Sequence, residues 1–239
     1  MQRTTRTIQS LERAMLLLET LSACGGRARL AEVAERSGLT KSTAHGLLDT
    51  LVGMGYVVRA GNDYALGLRL QTLVRPLRDE DERLRAAFLP ALRAFTELCG
   101  EHCVLAVPAG TRAYFTLDAL AADGRPLALP LDERRDALTT SAVGKVFLAH
   151  DRALVRRLRR SDALPVELEP ELQHVNARGY ALDLQTSQPE LNCIALPLRV
   201  RGRVVAALGA GGPAERFAQP YMRRLATRAM RELFDLVAL

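Results

Sequence analysis

Apolar residues recur at helical spacing between Leu30 and Tyr56, in two short stretches separated by a glycine. The first stretch, Leu30–Ser37, predicts a helix that ends at Gly38, because glycine adopts a positive φ without a Cβ clash. Thr40 stands at the N-cap position of a second helix, where a hydroxyl can accept a backbone N–H. The second helix has an apolar stripe at i, i+3, i+4 and i+7, formed by Ala44, Leu47, Leu48 and Leu51.

The opposite face of this second helix carries a cation and several short hydrogen-bonding groups, namely Lys41, Ser42, Thr43, His45 and Asp49. A recognition helix in the DNA major groove needs a face of this kind on its first turns. The pattern therefore favours a helix-turn-helix. An ordinary αα-hairpin at the protein surface is the alternative interpretation of these residues alone.

Two strand-like runs follow the second helix, Tyr56–Arg59 and Tyr64–Leu66, and the Gly61-Asn62 pair between them favours a turn. A β-hairpin at this place is the wing of a winged helix-turn-helix domain, which we expect over residues 1–72. The cations would contact phosphates and the short polar side chains would approach base edges. We expect DNA contacts from Lys41, Ser42, Thr43, His45, Arg59 and Asn62.

An amphipathic helix upstream would complete a three-helix core. We expect Ser10 as its N-cap, Cys24-Gly25-Gly26 as its end, and an apolar face made of Leu11, Ala14, Met15, Leu18 and Leu21. A single winged helix reads too few bases for operator-level specificity, so we expect a two-fold dimer on a palindromic site. Its contact face would draw on Leu17, Leu21, Leu70, Leu73 and Leu77.

Residues 73–100 predict a long helical segment between two domains. Pro90 lacks an N–H and interrupts a helical ladder, so we expect two helices, with a linker over residues 73–88 and a second domain over residues 89–239. Further strands are expected at Val104–Val107, Arg112–Leu117, Leu127–Leu131, Cys193–Val200 and Arg203–Ala210. Further helices are expected at Ser141–Ala149, Asp151–Arg160, Pro170–Gly179 and Tyr221–Leu239.

Several segments, in this order, resemble the IclR-type bacterial transcription regulators: SLERAMLLLETL, LAEVAERSGLTKSTAHGLLDTL, YALGLRL, SAVGKVFLA, RGYALD, NCIALPL and GAGGP. The resemblance implies an α+β two-domain fold, with an N-terminal winged helix-turn-helix, a linker helix and a C-terminal GAF-like α/β domain whose sheet is mostly antiparallel. It also implies a homodimer or a dimer of dimers, whose binding to double-stranded DNA responds to a small organic effector.

The resemblance places the effector contacts at Leu138, Ser141, Ala142, Asp183, Cys193, Gly209 and Gly211. A small organic acid would find hydroxyl, thiol and helix N-terminal donors there. Several relatives carry serine at the two glycine positions, and residues 184–192 also depart from the family pattern. The glycines therefore indicate either a bulkier, less polar ligand or close strand packing. A ligand-independent regulator, whose degenerate effector domain only oligomerises, is the alternative.

A third departure lies at Gly46, where relatives usually carry arginine. Glycine inside a helix costs about 1 kcal/mol relative to alanine, and an arginine contact to DNA is lost with it. Lys41 and His45 would then carry more of the DNA contact.

Composition narrows the function classes. The chain has 48% hydrophobic and 25% charged residues, typical of a globular protein. It has no apolar run long enough for a membrane span or a signal peptide, so we expect a cytoplasmic protein without a membrane partner. The net charge of +6 is spread evenly and supports nucleic-acid contact only weakly. No G-x-S-x-G, P-loop or H-E-x-x-H motif occurs, so we expect neither an enzyme nor a cofactor.

The cysteines favour free thiols. Cys24, Cys99, Cys103 and Cys193 are too sparse for a disulfide framework. The Cys99–Cys103 stretch joins a predicted helix to a predicted strand and has no second ligand pair, so we expect no metal site.

Overall fold

The computed structural model describes residues 8–111, 113–128, 135–233 and 235. The chain forms two compact units that divide between Glu80 and Asp81. This division falls within the predicted linker, and the three-part division at residues 72 and 88 stays a prediction.

The first unit contains three helices and a small antiparallel sheet. The helices are α1 (Gln9–Ala23), α2 (Leu30–Ser37) and α3 (Lys41–Gly53), and the strands are β1 (Arg27–Arg29), β2 (Val57–Ala60) and β3 (Asp63–Leu66), in the order β1-β3-β2. The predicted helix-turn-helix and hairpin are confirmed, with Gly38 in the left-handed region as the C-cap of α2. Strand β1 is too short to show a sequence pattern.

The start and the buried face of α1 differ from the prediction. The helix begins at Gln9, so Ser10 lies inside its first turn and caps nothing. Leu17 and Leu21 are fully buried, whereas Leu11 and Met15 keep 60% and 49% of their surface exposed. The leucine run over residues 16–18 offers apolar residues in several helical phases, and packing against α2 and α3 selects one of them. Because Leu17 and Leu21 serve this core, they are not available to a dimer face.

Helix α4 (Arg69–Cys99) is continuous through Pro90, so the expected break there is wrong. A proline in a helix interior costs about 3 kcal/mol. Phe88, Leu92 and Phe95 have no exposed surface, and burying each such side chain contributes about 1.5–3 kcal/mol. Burial around Pro90 therefore outweighs its cost.

The second unit is built on a six-stranded antiparallel sheet in the order β6-β5-β4-β9-β8-β7. Its strands are β4 (His102–Ala109), β5 (Ala113–Leu120), β6 (Arg135–Ala137), β7 (Ala181–Leu184), β8 (Leu191–Val200) and β9 (Arg203–Pro213). Its further helices are α5 (Ala142–His150), α6 (Arg152–Arg160), α7 (Leu168–Arg178) and α8 (Gln219–Glu232). One core lies between the sheet and helices α4 and α8, and the other lies between the sheet and helices α5, α6 and α7.

This arrangement confirms the predicted α+β fold with an antiparallel sheet in the C-terminal domain. The strand expected at Leu127–Leu131 is wrong where it can be compared, because Leu127 and Ala128 belong to no strand. The rest of that segment lies outside the described residues, as do Arg112 and most of the chain that follows Glu232.

Candidate nucleic-acid interface and ligand cavity

A hydroxyl cap holds the start of α3, the predicted recognition helix. Thr40 has extended backbone angles, and its Oγ1 accepts a hydrogen bond from the Thr43 backbone N–H at 3.3 Å. The same Thr40 hydroxyl lies 2.9 Å from Thr43 Oγ1 and 3.1 Å from Ser42 Oγ. These short contacts order the first turn. Lys41 and Ser42 are exposed there, and Thr43 is half-buried.

A network of four side chains joins α3 to the hairpin. Asp49 Oδ2 lies 3.2 Å from His45 Nδ1, one turn earlier on the helix. Asp49 Oδ1 accepts a hydrogen bond from Arg59 Nη2 at 2.9 Å, and that nitrogen also donates to the Tyr64 hydroxyl at 2.7 Å. The Arg59 guanidinium lies over the Tyr64 ring, 4.9 Å from its centroid. The network fixes the wing relative to the recognition helix.

Asp49 also sets the charge of this face. The hydrogen bond from Arg59 lowers the pKa of the Asp49 carboxyl below its ordinary value, so the carboxylate is ionised at neutral pH. It therefore offsets the charge of Arg59. Lys41, by contrast, forms no ion pair with any residue that the structure describes.

The sequence pattern predicts Asp49 on the exposed face of α3 but indicates no role for it. Its i, i+4 spacing to His45 was the available signal, since such pairs meet on a helix surface. The contact with Arg59 had no signal in the sequence. Of the other expected DNA contacts, Asn62 is exposed at the hairpin tip, next to Gly61 with its φ of +67°.

Gly46 lies on the exposed side of α3, between His45 and Leu47. A Cβ added there would meet no atom within 4 Å. The glycine is therefore not required for close packing in the described structure, and an added Cβ would lie in open space.

The second unit contains a cavity of about 450 Å³ beside the start of α5 and one end of the sheet. The strand register explains why three of its wall residues meet, since His102 pairs with Gly211 and Gly211 pairs with Cys193. Directly paired residues present their side chains on one face of a sheet. Most of the wall is apolar, and it is formed by residues including Val104, Tyr114, Ser141, Ala142, Val143, Ser187, Leu191, Cys193, Gly209 and Gly211.

The cavity wall includes Ser141, Ala142, Cys193, Gly209 and Gly211 from the expected effector site. Ser141 caps α5, because its Oγ accepts a hydrogen bond from the Gly144 backbone N–H at 3.1 Å.

Two expected contact residues do not line the cavity. The Asp183 carboxylate is fully buried, and it accepts hydrogen bonds from the Thr186 backbone N–H at 2.8 Å and from the Ser187 hydroxyl. It therefore positions the loop that brings Ser187 to the wall. Leu138 is buried below α5, and a Cβ on Gly144 would lie 2.6 Å from the Leu138 carbonyl carbon. Gly144 therefore lets α5 approach the Leu138 backbone closely.

The two glycines of β9 play different parts. A Cβ at Gly209 would lie 2.8 Å from Val143 Cγ2 and 3.0 Å from Val104 Cγ2. This glycine therefore permits α5 to pack closely on the sheet. A Cβ at Gly211 would meet Cys193 Sγ at 3.2 Å, which is tight but involves one flexible side chain on the cavity wall. Close packing thus explains Gly209, and cavity shape explains Gly211.

An ion pair that the sequence pattern does not predict lies at the edge of the cavity. Arg216 Nε and Nη2 donate to Glu101 Oε1 and Oε2 at 2.7 and 3.1 Å. The Glu101 side chain is only 8% exposed, whereas that of Arg216 is 67% exposed. Gly212 makes room for the acid, since a Cβ there would lie 2.7 Å from Glu101 Cδ. His102 and Arg216 are the basic residues among the described wall residues.

Two cysteines that stand on different elements are nevertheless in contact. Cys99 ends α4 and Cys103 lies in β4, and their Sγ atoms are 3.3 Å apart in a buried position. The hydrogen bond with Cys99, together with burial, raises the pKa of the Cys103 thiol. In the described parts of the chain, no group of three or more His, Cys, Asp or Glu side chains is arranged to hold a metal ion.

None of the helices in the described ranges has both the length and the apolar character needed to cross a membrane.

Comparison with known proteins agrees with the fold. The IclR helix-turn-helix domain matches residues 10–61, and the bacterial transcriptional regulator IclR C-terminal family matches residues 80–233. The chain is 33% identical to the glycerol operon regulatory protein of Streptomyces coelicolor over 223 residues, which cover 88% of this chain and 87% of that protein. It is 30% identical to the HTH-type transcriptional regulator BhcR of Paracoccus denitrificans, over 86% of this chain and 78% of that protein.

A solved structure, an IclR homolog from Microbacterium hydrocarbonoxydans complexed with 4-hydroxybenzoate, has a TM-score of 0.66. It covers 95% of this chain and 98% of its own, at 24% identity. The domain matches together span most of the sequence, in the order that the fold requires. The chain belongs to the IclR family and is a DNA-binding transcriptional regulator.

Proposed function

We propose that this regulator binds a palindromic operator as a homodimer, and that a small organic acid with an apolar body modulates the binding from the cavity of the second unit. The observation that carries the effector half is the cavity, which is mostly apolar and has hydroxyl, thiol and cationic groups at separate points of its wall. Pockets for small ligands commonly combine apolar walls with a few placed polar groups.

The wall chemistry favours a ligand with two different ends. Val104, Val143 and Leu191 offer apolar surface, and covering such surface contributes about 25 cal/mol per Å². Ser187 and Cys193 offer weakly polar groups that suit a hydroxyl or carbonyl. A structural relative is complexed with 4-hydroxybenzoate, an acid with an apolar ring. That likeness concerns the fold, and it supports the ligand class only as an example.

The DNA half of the proposal depends on the exposed face of α3 and on the hairpin. We place Lys41 and Arg59 on phosphates, with Arg59 held in position by Asp49. Ser42, Thr43 and His45 face the bases, and Asn62 is available at the hairpin tip. Exposed apolar side chains in the first unit support a covered face between two copies, namely Leu11, Met15, Leu68 and Leu73.

The effector half is tested by a thermal-shift screen of organic acids, followed by fluorescence anisotropy with operator DNA. A ligand at a hundred times its Kd raises the stability by about 2.7 kcal/mol. We expect such a ligand to change the DNA affinity by about 5- to 150-fold, the usual range of allosteric coupling. Gly211→Leu should fill the cavity and abolish both effects. Thr227→Leu, which places leucine on the exposed side of α8, is the matched control.

Two results would contradict this half. If Gly211→Leu leaves both ligand affinity and the ligand effect on DNA intact, the effector binds elsewhere. If no acid stabilises the protein and DNA binding remains strong, the chain is a ligand-independent regulator. The dimer is tested separately by light scattering, where a monomer at micromolar concentration with undiminished operator affinity would refute it.

A further inference from the structure

Glu101 contacts only one edge of the planar Arg216 guanidinium. Glu101 accepts hydrogen bonds from Nε and Nη2, which form one edge of the planar group. Nη1 donates no hydrogen bond to any residue in the described ranges. Nη1 and the outer hydrogen of Nη2 form a second edge that matches a carboxylate in the bidentate geometry typical of arginine. Arg216 is among the residues that line the cavity, and its side chain is 67% exposed.

Glu101 holds this guanidinium in place. The acid is nearly buried, and Gly212 provides the space that it occupies. The Arg216 side chain is 67% exposed, and a long exposed side chain usually samples many rotamers. A bidentate contact to a fixed carboxylate removes much of that freedom before a ligand arrives. The ion pair therefore preorganises a cation, which reduces the entropic cost of binding a second anion.

The charge distribution along the wall favours the same end of the cavity for an anion. Val104, Val143 and Leu191 line the apolar part, where an ionised carboxylate would lose its hydration without compensation. The basic wall residues Arg216 and His102 both adjoin Glu101, because Arg216 is hydrogen-bonded to it and His102 follows it in the chain. An acid with an apolar body thus has one orientation that satisfies both of its ends.

Resting on the proposed effector function, we propose that Arg216 is the specificity-determining residue that selects a carboxylate over a neutral group, with Glu101 as its positioning residue. The ligand carboxylate contacts the Nη1–Nη2 edge, while Glu101 keeps the Nε edge. The ligand class is then a monocarboxylate whose apolar part extends from Arg216 toward Val104 and Val143. Glu101 holds the guanidinium, but its own negative charge also weakens the binding of the ligand carboxylate.

This arrangement predicts effects of opposite sign for the two members of one ion pair. Arg216→Gln removes the charged donor, so carboxylate affinity should fall about tenfold, because hydrogen bonds to charged groups are the strong ones. Glu101→Gln keeps an amide oxygen for Arg216 Nε but removes the nearby negative charge. Carboxylate affinity should therefore rise about threefold. A pair that serves only the fold would lower stability in both variants and move ligand affinity in the same direction.

The experiment is calorimetric titration of the full-length protein with a panel of aliphatic, keto and aromatic monocarboxylates, 4-hydroxybenzoate among them, each beside its primary amide. The readout is the ratio of carboxylate to amide affinity, which cancels general changes in folding. We expect this ratio to fall in Arg216→Gln, to rise in Glu101→Gln and to stay at the wild-type value in Arg223→Gln. Arg223 is an exposed arginine on α8 outside the cavity wall, so it controls for net charge.

Each outcome separates this inference from the proposed function. Acids that bind in a Gly211-dependent way, with an affinity ratio unchanged in Arg216→Gln, overturn the role of Arg216 and leave the effector site standing. A ratio that keeps its wild-type value in both Arg216→Gln and Glu101→Gln, with a lower melting temperature in each, assigns the pair to the fold, and a ratio that falls in Glu101→Gln overturns the effect given to the Glu101 charge. Failure of every acid to bind the wild-type protein overturns the proposed function, and this inference falls with it. A thermal melt of each variant confirms that it is folded.

Discussion

Gly46 offers the sharpest test of the DNA interface, because it separates helix stability from contact with the nucleic acid. It lies on the exposed side of α3, and an added Cβ would meet no atom within 4 Å. Gly46→Ala should therefore stabilise α3 by the full difference in helix propensity, about 1 kcal/mol, because the added methyl group meets no neighbouring atom. Gly46→Arg should gain nearly as much, since arginine ranks close to alanine in helices.

Native-state hydrogen exchange of the α3 backbone amides measures the stability gain locally. A gain of about 1 kcal/mol in the opening free energy slows exchange about fivefold, in both variants. The local readout is preferable to a melting temperature, because a chain with two compact units need not unfold in one step.

Fluorescence anisotropy at a series of salt concentrations then measures the contact. Each phosphate neutralised steepens the plot of log affinity against log salt by about 0.9. We expect this steepening for Gly46→Arg and not for Gly46→Ala, on both specific and nonspecific duplexes. Equal salt slopes in the two variants would mean that this side of α3 does not face phosphates, and the interface assignment would be wrong. Faster exchange in Gly46→Ala would refute the argument from open space.

The remaining predictions concern both sites. Lys41→Ala should weaken binding to every DNA sequence and flatten the salt slope by about one unit, and an unchanged slope in gel-shift titrations would remove Lys41 from the interface. Asp49→Asn should free the charge of Arg59 and raise nonspecific affinity, with a steeper salt slope in the same assay; a loss of all binding would instead mean that the carboxylate itself contacts DNA. The pKa of Asp49 is lowered in the folded protein, so its contribution to stability is present above the unfolded pKa and is lost as the pH falls through the folded pKa. In urea titrations the Asp49→Asn variant should therefore lose less stability than the wild type between about pH 5 and pH 2. This range is set by the ordinary carboxyl pKa of about 4. Gly209→Ser should lower the melting temperature by crowding α5, whereas Gly211→Ser should leave stability nearly unchanged and shift ligand preference toward smaller acids; equal losses of stability would show that both glycines serve packing.

The sequence alone determined the elements whose cause is local. The helix-turn-helix follows from the positive φ available to Gly38 and the cap supplied by Thr40, both of which act within a few residues. The same holds for the hairpin across Gly61-Asn62 and for the cap of α5 at Ser141. Local hydrogen bonds and apolar periodicity are readable in one dimension, because the interacting groups are neighbours in the chain.

Other features depended on which surfaces meet. The apolar residues of α1 fall on more than one side of the helix, so the sequence does not determine which side is buried. Packing against α2 and α3 buries Leu17 and Leu21. Pro90 stays in a helix because buried neighbours on the sheet outweigh its local cost. In both cases the deciding free energy comes from contacts between distant segments, which periodicity cannot rank.

The chemistry at the sites shows the same limit most clearly. Arg59 meets Asp49 across ten positions of sequence, and Arg216 meets Glu101 across 115. The sequence and the family resemblance identified residues beside the cavity, but not that the Asp183 carboxylate is used by Ser187 or that Gly209 and Gly211 play different parts. Hydrogen bonds and close contacts act over about 3 Å, so only the tertiary structure decides which of the polar groups in a sequence come within that distance.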